Sequence, residues 1–217
     1  MIKAVIFDLD GLLIDTEIVA YDIYQDILRE YGKSFSIDFY AEHYSGKTEL
    51  HNFTDIIKRF DIPLTYEEGL QIIQKKEIEY MENGVELKPG AKQLIDYLVK
   101  NNIKIGLATS SVRKKINTVL NEHNIAQYFD EIVSAEETVK SKPDPEIYLN
   151  CLKKLDVSAD ECLVLEDSEA GVESAYNAHI PVINIPDMVK IDENHRNMTV
   201  GILKILTDVI DYIENTK

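Results

Sequence analysis

The apolar pattern begins with one short, continuous run near the start of the chain. Residues 4–7 are all apolar, and they lead into Asp8, Asp10 and Gly11. A run of this length is typical of a strand that is buried on both faces of a parallel sheet. The sequence therefore predicts a buried first strand that delivers the carboxylates of Asp8 and Asp10 to the mouth of a site.

Helical spacing dominates the next part of the chain, and no strand pattern interrupts residues 16–82. Three helices are predicted there: one from Asp15 or Thr16 to a stop at Gly32, one from Thr48 to Phe60, and one from the capping box Thr65–Glu68 to Met81.

Strand and helix patterns alternate from Pro89 and Gly90 onward. The predicted strands are Lys104–Ala108, Glu131–Val133, Cys162–Leu165 and Val182–Ile185. The predicted helices are Ala91–Lys100, Ser111–Glu122 with Ser110 or Ser111 as its cap, a helix capped by Asp144 and running to Leu155, Ser168–Asn177, and a closing helix Val200–Ile213. Asp187–Thr199 is predicted to be a surface loop.

One strand, a helical block and four strand-bearing units indicate an α/β fold. We expect a doubly wound parallel sheet with an all-helical domain inserted after its first strand. The predicted α/β core comprises residues 1–14 and 84–217, and the predicted helical cap domain comprises residues 15–83.

Composition and charge narrow the class of protein. With 45% hydrophobic residues the chain can bury a sizeable core, and its formal net charge of −16 argues against a nucleic-acid partner. The longest apolar runs are far shorter than the roughly 20 residues that a membrane span needs, and no signal peptide follows Met1. We expect a cytoplasmic monomer, in which Cys151 and Cys162 are inert buried thiols.

Polar side chains follow the predicted strands: Asp8 and Asp10, then Thr109 and Ser110, then Lys142, then Glu166 and Asp167. The carboxyl ends of parallel strands converge on one crevice, so these residues can meet there. Four carboxylates in one pocket require a cation, and Mg²⁺ fits oxygen ligands of this kind. A hydroxyl and free backbone N–H groups at the Thr109–Ser110 junction can hold phosphate oxygens. Each motif alone also suits a turn, a helix cap or a solvated lysine, and their joint order favours a site.

The four motifs carry a family resemblance. They are Asp8-Leu9-Asp10-Gly11 with its continuation to Thr16, Thr109-Ser110, Lys142-Pro143-Asp144-Pro145 with Tyr148, and Glu166-Asp167-Ser168 with Ala170-Gly171. In this order they resemble the haloacid dehalogenase superfamily, and within it the phosphatase and β-phosphoglucomutase-like branch, which has a Rossmann-like core and a helical cap. The resemblance spans residues 2–185.

The resemblance implies roles for matching residues. Asp8 would be the nucleophile that forms an aspartyl-phosphate, and Asp10 the acid/base. Thr109, Ser110 and Lys142 would bind the phosphoryl oxygens. The implied Mg²⁺ ligands are Asp8, the carbonyl of Asp10, Glu166 and Asp167. Asp15 and Thr16 would form the hinge between core and cap.

The function that follows is a Mg²⁺-dependent phosphatase acting on a small phosphorylated metabolite. The first alternative is a phosphomutase of the β-phosphoglucomutase type. Such mutases carry a His four residues after the Thr that matches Thr16, whereas this chain has Ala20. Two others are a phospho-accepting signalling module, against which the helical insert argues, and a haloacid dehalogenase, whose chemistry the acids suit less well.

The loop around Ser45-Gly46-Lys47-Thr48 ends like a nucleotide-binding P-loop, but Ala41 stands where the leading Gly belongs and no strand precedes it. Because family members present a Gly-containing cap loop to the substrate, Gly46 and Lys47 are candidate specificity residues. A capped helix start with a solvated lysine is the alternative.

Overall fold

The computed structural model describes residues 1–47 and 49–216, and it contains the predicted parallel sheet. The strands are β1 (Ala4–Phe7), β2 (Lys104–Ala108), β3 (Glu131–Val133), β4 (Cys162–Glu166), β5 (Val182–Asn184) and β6 (Gly201–Ile202). They are all parallel and lie in the order β3-β2-β1-β4-β5-β6. The direction of winding reverses between β1 and β4, which is where open α/β sheets hold their ligands. The predicted doubly wound fold is confirmed.

Ten α-helices are present in the described part of the chain. They are α1 (Thr16–Glu30), α2 (Ile37–His43), α3 (Glu49–Phe60), α4 (Tyr66–Asn83), α5 (Ala91–Lys100), α6 (Arg113–Glu122), α7 (Glu146–Leu155), α8 (Glu169–Asn177), α9 (Glu193–Arg196) and α10 (Asp208–Asn215). Within the described residues, none of these helices has the length and apolar character that a membrane crossing requires.

The chain divides into two compact units. One, the sheet unit, contains residues 1–15 and the residues from 86 onward, and the other, the helical unit, is Thr16–Val85. Both breaks lie within two residues of the predicted domain boundaries. The assignment of these units as catalytic core and cap domain stays a prediction.

The sheet unit is built around β1, whose four residues are completely buried. The apolar side of α7 and α8 packs with the sheet in one cluster, which includes Ile6, Tyr148, Cys151 and Val164. Both cysteines are buried and free, and burial raises the pKa of the Cys162 thiol to about 12. Such thiols stay protonated at neutral pH, and this agrees with the inert character predicted for them.

The helical unit has an aromatic core. The ring of Tyr24 lies 6.2 Å from that of Tyr40, 6.5 Å from that of Tyr44 and 6.3 Å from that of Phe53. Gly69 of α4 lies against Phe53, since a Cβ there would be 1.6 Å from a ring carbon. The predicted capping box at the start of α4 is present, with Glu68 N donating to Thr65 Oγ1 at 3.2 Å.

Several predicted elements were wrong or incomplete. The short helix α2, capped by Ser36, was not predicted, because seven residues display too little periodicity. The predicted closing helix fails at its start, where Gly201–Ile202 pairs with β5, and α10 begins only at Asp208. The predicted loop Asp187–Thr199 contains α9, whose N-cap is Asp192. Thr48, the predicted start of α3, lies outside the described residues.

Candidate active site

Lys142 lies where the carboxyl ends of the strands converge. Its Nζ is 2.5 Å from Asp8 Oδ1 and 2.5 Å from Glu166 Oε1, and it donates to the Ala108 carbonyl at 3.2 Å. The side chains of Lys142 and Asp8 are 8% and 9% exposed, and that of Glu166 is completely buried. Residues that are 134 positions apart are thus in direct contact, as the convergence of strand ends predicted.

The Glu166 carboxylate accepts five hydrogen bonds. Its Oε1 accepts from Lys142 and from Tyr148 Oη at 2.7 Å. Its Oε2 accepts from Asp167 N at 3.1 Å and from the Ser168 N and Oγ at 3.2 and 3.0 Å. These hydrogen bonds reach both oxygens of the carboxylate. Although burial opposes ionisation, the ion pair with Lys142 holds the pKa of Glu166 below its ordinary value.

The pKa values of Asp8, which is buried, and Asp167, which is half-buried, shift in the opposite direction. Burial, with Glu166 and Asp10 nearby, raises the pKa of Asp8 to about 7 even though Lys142 opposes the shift. Burial and the charges of Glu166 and Asp8 hold the pKa of Asp167 well above its usual range. Lys142 supplies one positive charge beside three carboxyl groups, those of Asp8, Glu166 and Asp167. The group therefore has excess negative charge when all three are ionised.

The acids fit a hard divalent cation. Asp8, Glu166 and Asp167 each offer a carboxylate oxygen, and these oxygens all lie within 4.8 Å of one another. Oxygen donors at this spacing are suited to Mg²⁺ or Ca²⁺, and a cation there would offset the excess charge. The prediction of a metal site at this end of the sheet therefore agrees with the donor set.

A second group with such spacing is formed by Glu169, Asp192 and His195. Hydrogen bonds inside this group account for its arrangement. Asp192 N donates to Glu169 Oε1 at 2.8 Å, and His195 Nδ1 lies 2.7 Å from Asp192 Oδ1. The carboxylates of Glu169 and Asp192 are exposed, and Asp192 is the N-cap of α9. The group is therefore explained as a helix cap on the surface.

Asp10 is held by two residues that the sequence did not single out for this role. Ser111 Oγ donates to Asp10 Oδ2 at 2.6 Å, and Lys115 Nζ lies 2.5 Å from Asp10 Oδ1. The predicted role of Ser111 as a helix cap was wrong, because α6 begins at Arg113 and the Ser111 hydroxyl is used by Asp10. Lys115 lies in the first turn of α6, and nothing in the sequence pattern distinguished it from other surface lysines.

Gly11 permits the approach of Asp167. Its φ is +78°, a conformation that side chains rarely adopt, and a Cβ would lie 2.2 Å from Asp167 Oδ2. The absence of a side chain at Gly11 therefore makes room for the Asp167 carboxylate.

Thr109 and Ser110 lie at the end of β2, as predicted. Thr109 is buried; its N–H donates to the Val133 carbonyl at 3.1 Å, and its Oγ1 accepts from Ser111 N at 3.0 Å. Of the backbone N–H groups at this junction, that of Thr109 is occupied by continued pairing with β3. The hydroxyl of Thr109 and the exposed hydroxyl of Ser110 can each donate a hydrogen bond to an anion.

Lys88 and Asp187 are further charged residues that sequence reasoning missed. Lys88 Nζ lies 2.5 Å from Asp187 Oδ1 and 3.6 Å from Asp15 Oδ1. The charge of Asp187 also contributes to the raised pKa of Asp167. Asp187 belongs to the segment predicted as a loop, so the local sequence did not indicate that its side chain pairs with Lys88.

The two candidate specificity residues lie in the helical unit. Gly46 has a φ of +73°, and its N–H donates to Glu17 Oε1 at 3.4 Å. Lys47 Nζ donates to the His43 carbonyl at 2.6 Å. Their role in specificity stays a prediction.

Comparison with known proteins decides the family. The family model of haloacid dehalogenase-like hydrolases matches residues 5–185. The chain belongs to this family. The resemblance predicted from the four motifs is confirmed, and the chain is a hydrolase of that family.

Named relatives support the expected enzyme class, a phosphoric monoester hydrolase. The chain is 30% identical over 178 residues to a phosphorylated carbohydrates phosphatase of Thermotoga maritima, covering 82% of each chain. It is 30% identical over 190 residues to the β-phosphoglucomutase of Bacillus subtilis, covering 84% of this chain and 83% of that one. The β-phosphoglucomutase structure from Clostridium difficile superposes with a TM-score of 0.70 at 26% identity, covering 99% of this chain and 96% of that one.

Proposed function

We propose that this hydrolase is a Mg²⁺-dependent phosphatase, which cleaves a small phosphate monoester through a phosphorylated aspartate. The observation that carries the proposal is the contact of Lys142 with both Asp8 and Glu166. This contact places the proposed nucleophile Asp8, the ammonium of Lys142 and the candidate metal ligand Glu166 together at the end of β1. The sheet changes its direction of winding there.

Asp8 performs the first displacement. A carboxylate oxygen of Asp8 attacks phosphorus, a new P–O bond forms, and the bond from phosphorus to the substrate's alcohol oxygen breaks. Asp10 gives its proton to the departing oxygen, so a neutral alcohol leaves. Ser111 and Lys115 support this step, because their contacts fix the position of the Asp10 carboxylate.

Water completes the reaction in a second displacement. The Asp10 carboxylate accepts a proton from water while the water oxygen attacks phosphorus. The P–O bond to Asp8 breaks, inorganic phosphate leaves, and both aspartates return to their starting states. Splitting the hydrolysis in this way lets one acid serve first as proton donor and then as proton acceptor.

The remaining residues bind the phosphoryl group or position the residues that bind it. The Lys142 ammonium neutralises phosphoryl oxygens, and the hydroxyls of Thr109 and Ser110 donate to them. Glu166 positions Lys142 through their ion pair.

The proposed Mg²⁺ site consists of Asp8, Asp167, the Asp10 carbonyl and Glu166. Of the three carboxylates, Asp8 and Asp167 retain the most free acceptor capacity, because five hydrogen bonds already occupy Glu166. Bound there, Mg²⁺ supplies positive charge against the phosphoryl group.

We favour a phosphatase over a phosphomutase. Relatives of this chain carry both names. Ala20 lies on α1 at the position where the mutases that the chain resembles carry a His, and a methyl group can neither give nor accept a proton. The cytoplasmic location and the monomeric state stay predictions.

A phosphate-release panel tests the proposal. The purified chain is assayed with sugar, polyol, nucleoside and glycolate phosphates, with Mg²⁺ and with EDTA. We expect inorganic phosphate release from at least one ester, and its loss in EDTA. Conversion of β-glucose 1-phosphate to glucose 6-phosphate without phosphate release would contradict the phosphatase, and release that persists in EDTA would contradict the metal requirement.

A further inference from the structure

One buried amide stands in the strand next to the candidate metal ligands. Asn184 ends β5 and is completely buried. Val182, Ile183 and Ile185 around it are apolar and buried as well. Asn is disfavoured in strands, and a buried amide costs free energy unless it is hydrogen-bonded. An apolar side chain would therefore suit this position better unless the amide forms hydrogen bonds of its own.

Both N–H groups of the Asn184 amide are used. Its Nδ2 donates to the Glu166 carbonyl at 3.1 Å and to the Asp167 carbonyl at 3.0 Å. A side-chain amide nitrogen has two N–H donors, so these two bonds use its full capacity. The reverse orientation would place the amide oxygen against two carbonyl oxygens. The hydrogen bonds thus fix which way the Asn184 amide points.

The amide oxygen of Asn184 is not satisfied in the same way. Oδ1 has no hydrogen-bond partner among the residues that the structure describes. A buried acceptor without a donor is costly. The contribution of the Asn184 side chain therefore lies in its two bonds to the backbone at Glu166 and Asp167.

Of these two carbonyls, that of Asp167 depends more on Asn184. The Glu166 carbonyl also accepts from Ile185 N at 2.8 Å. Asp167 follows the last residue of β4, and no second donor reaches its carbonyl in the part of the chain that the structure describes. Its N–H donates to Glu166 Oε2 at 3.1 Å. The Asp167 backbone is therefore held at its N–H by Glu166 and at its carbonyl by Asn184.

The position of the Asp167 carboxylate matters for a cation. One of its oxygens lies within 4.8 Å of a carboxylate oxygen of Asp8 and one of Glu166. Mg²⁺ requires near-ideal octahedral geometry, so a small displacement of one ligand weakens its binding. A change of the backbone dihedral angles at Asp167 would move its carboxylate relative to the other two. A hydrogen bond that fixes this backbone therefore also fixes a proposed ligand.

We propose that Asn184 is a positioning residue for the Mg²⁺ site, and that it acts by holding the backbone of Asp167. The inference rests on the proposed function, because it concerns the metal site proposed there. Groups that orient metal ligands typically contribute about tenfold to a hundredfold to metal affinity. Asn184 does this from a neighbouring strand, through the main chain of the ligand and not through its carboxylate.

Magnesium titrations of the full chain test this role by isothermal titration calorimetry. Asn184→Leu keeps a similar shape and removes both donors, so it should raise the Kd for Mg²⁺ about tenfold or more. Asn184→Thr suits a strand and keeps one donor, so it can serve at most one carbonyl. Its Kd should rise less, by about threefold, as a partial rescue.

Val182→Ala is the matched control. Val182 is completely buried two residues earlier on β5, so the variant lowers the stability of the same strand by leaving a cavity. The Asn184 amide stays in place, and the Kd for Mg²⁺ should not change. Urea unfolding shows that each variant is folded, and Asn184→Thr decides the outcome if Asn184→Leu has no cooperative transition.

The outcomes separate this inference from the proposed function. If the natural chain binds Mg²⁺ and the folded Asn184 variants bind it equally tightly, the positioning role is overturned and the proposed function stands. An equal loss of affinity in Val182→Ala also overturns the positioning role, because general destabilisation then accounts for the effect. If the natural chain does not bind Mg²⁺, the proposed metal site and the role of Asn184 are both overturned.

Discussion

Lys142 is the residue on which the candidate site depends most, because it neutralises two buried carboxylates at once. Substitution Lys142→Met keeps much of the side-chain volume and removes the charge. It should lower the free energy of unfolding by about 3–5 kcal/mol at pH 7, since Asp8 and Glu166 are left buried and unpaired. The loss should shrink as the pH falls and the two carboxylates become protonated. Urea unfolding at several pH values measures both effects.

Lys140→Met is the matched control for this variant. Lys140 is 69% exposed and pairs with Asp144 at 3.1 Å on the surface. Its substitution should change the stability by less than about 1 kcal/mol. Equal losses of unfolding free energy in Lys142→Met and Lys140→Met would show that the buried ion pairs of Lys142 stabilise the protein no more than a surface ion pair does.

Asp8 gives a pH dependence to metal binding. Burial raises its pKa to about 7, so protons compete with a cation for its carboxylate throughout the neutral range. The folded group holds its proton more tightly than a free aspartate does, and metal binding must release it. The apparent Kd for Mg²⁺ should therefore rise about tenfold when the pH falls from 8 to 6. Isothermal titration calorimetry checks this, and a Kd that is independent of pH would contradict the assignment of Asp8 as a ligand.

The principal site residues could be predicted from sequence, whereas their supporting partners could not. Asp8 and Asp167 directly follow strands, Lys142 lies in the loop after β3, and the carboxyl ends of parallel strands converge. Lys115 and Ser111 reach Asp10 only after α6 takes its orientation, which is set by packing over many residues. In the sequence, Lys115 looks like a solvated lysine on a helix and Ser111 looks like a helix cap. The sequence pattern therefore did not indicate that either residue contacts Asp10.

At the scale of the elements, α8 carries a glycine that makes room for Glu166. A Cβ on Gly171 would lie 1.8 Å from the Glu166 carboxylate carbon. Gly→Ala inside a helix normally stabilises it by about 1 kcal/mol. Here Gly171→Ala should instead lower the free energy of unfolding by about 1–3 kcal/mol, because the Glu166 carboxylate or the helix must shift.

Ala170→Ser provides a comparison on the same helix. Ala170 is exposed, so this variant should differ from the natural chain by less than about 0.5 kcal/mol in urea unfolding. A Gly171→Ala variant that is as stable as the natural chain, or more stable, would mean that the contact with Glu166 does not constrain α8.

Elements with strong periodicity or clear boundaries were predictable, whereas α2 and β6 were not. The bounds of α5, β2 and β3 agree with the prediction at both ends. In contrast, β6 has two residues, and its pairing with β5 decides its conformation. The local sequence there favoured a helix, and the hydrogen bonds of the sheet edge outweighed that preference.

At the scale of the whole molecule, the chain combines a parallel sheet with a helical unit inserted after the first strand. The change from helical spacing to alternating strands and helices made this division predictable. Glu17, Glu49 and Glu77 line one cavity of the helical unit. This juxtaposition was not predictable, because the three residues are far apart in the sequence. Only the packing of three helices brings them to one cavity.

The central claim is that Asp8 receives the phosphoryl group of the substrate. Asp10→Asn removes the proton acceptor for the attack of water, so with an ester whose leaving group needs no proton, such as p-nitrophenyl phosphate, the phosphorylated protein should accumulate. The variant is mixed with Mg²⁺ and an ester that the natural chain hydrolyses, quenched in acid, and analysed by mass spectrometry of its peptides. We expect one added phosphoryl group, located on Asp8. A phosphoryl group on another residue, or an unmodified Asp8 in a variant that still releases phosphate at the natural rate, would contradict the account.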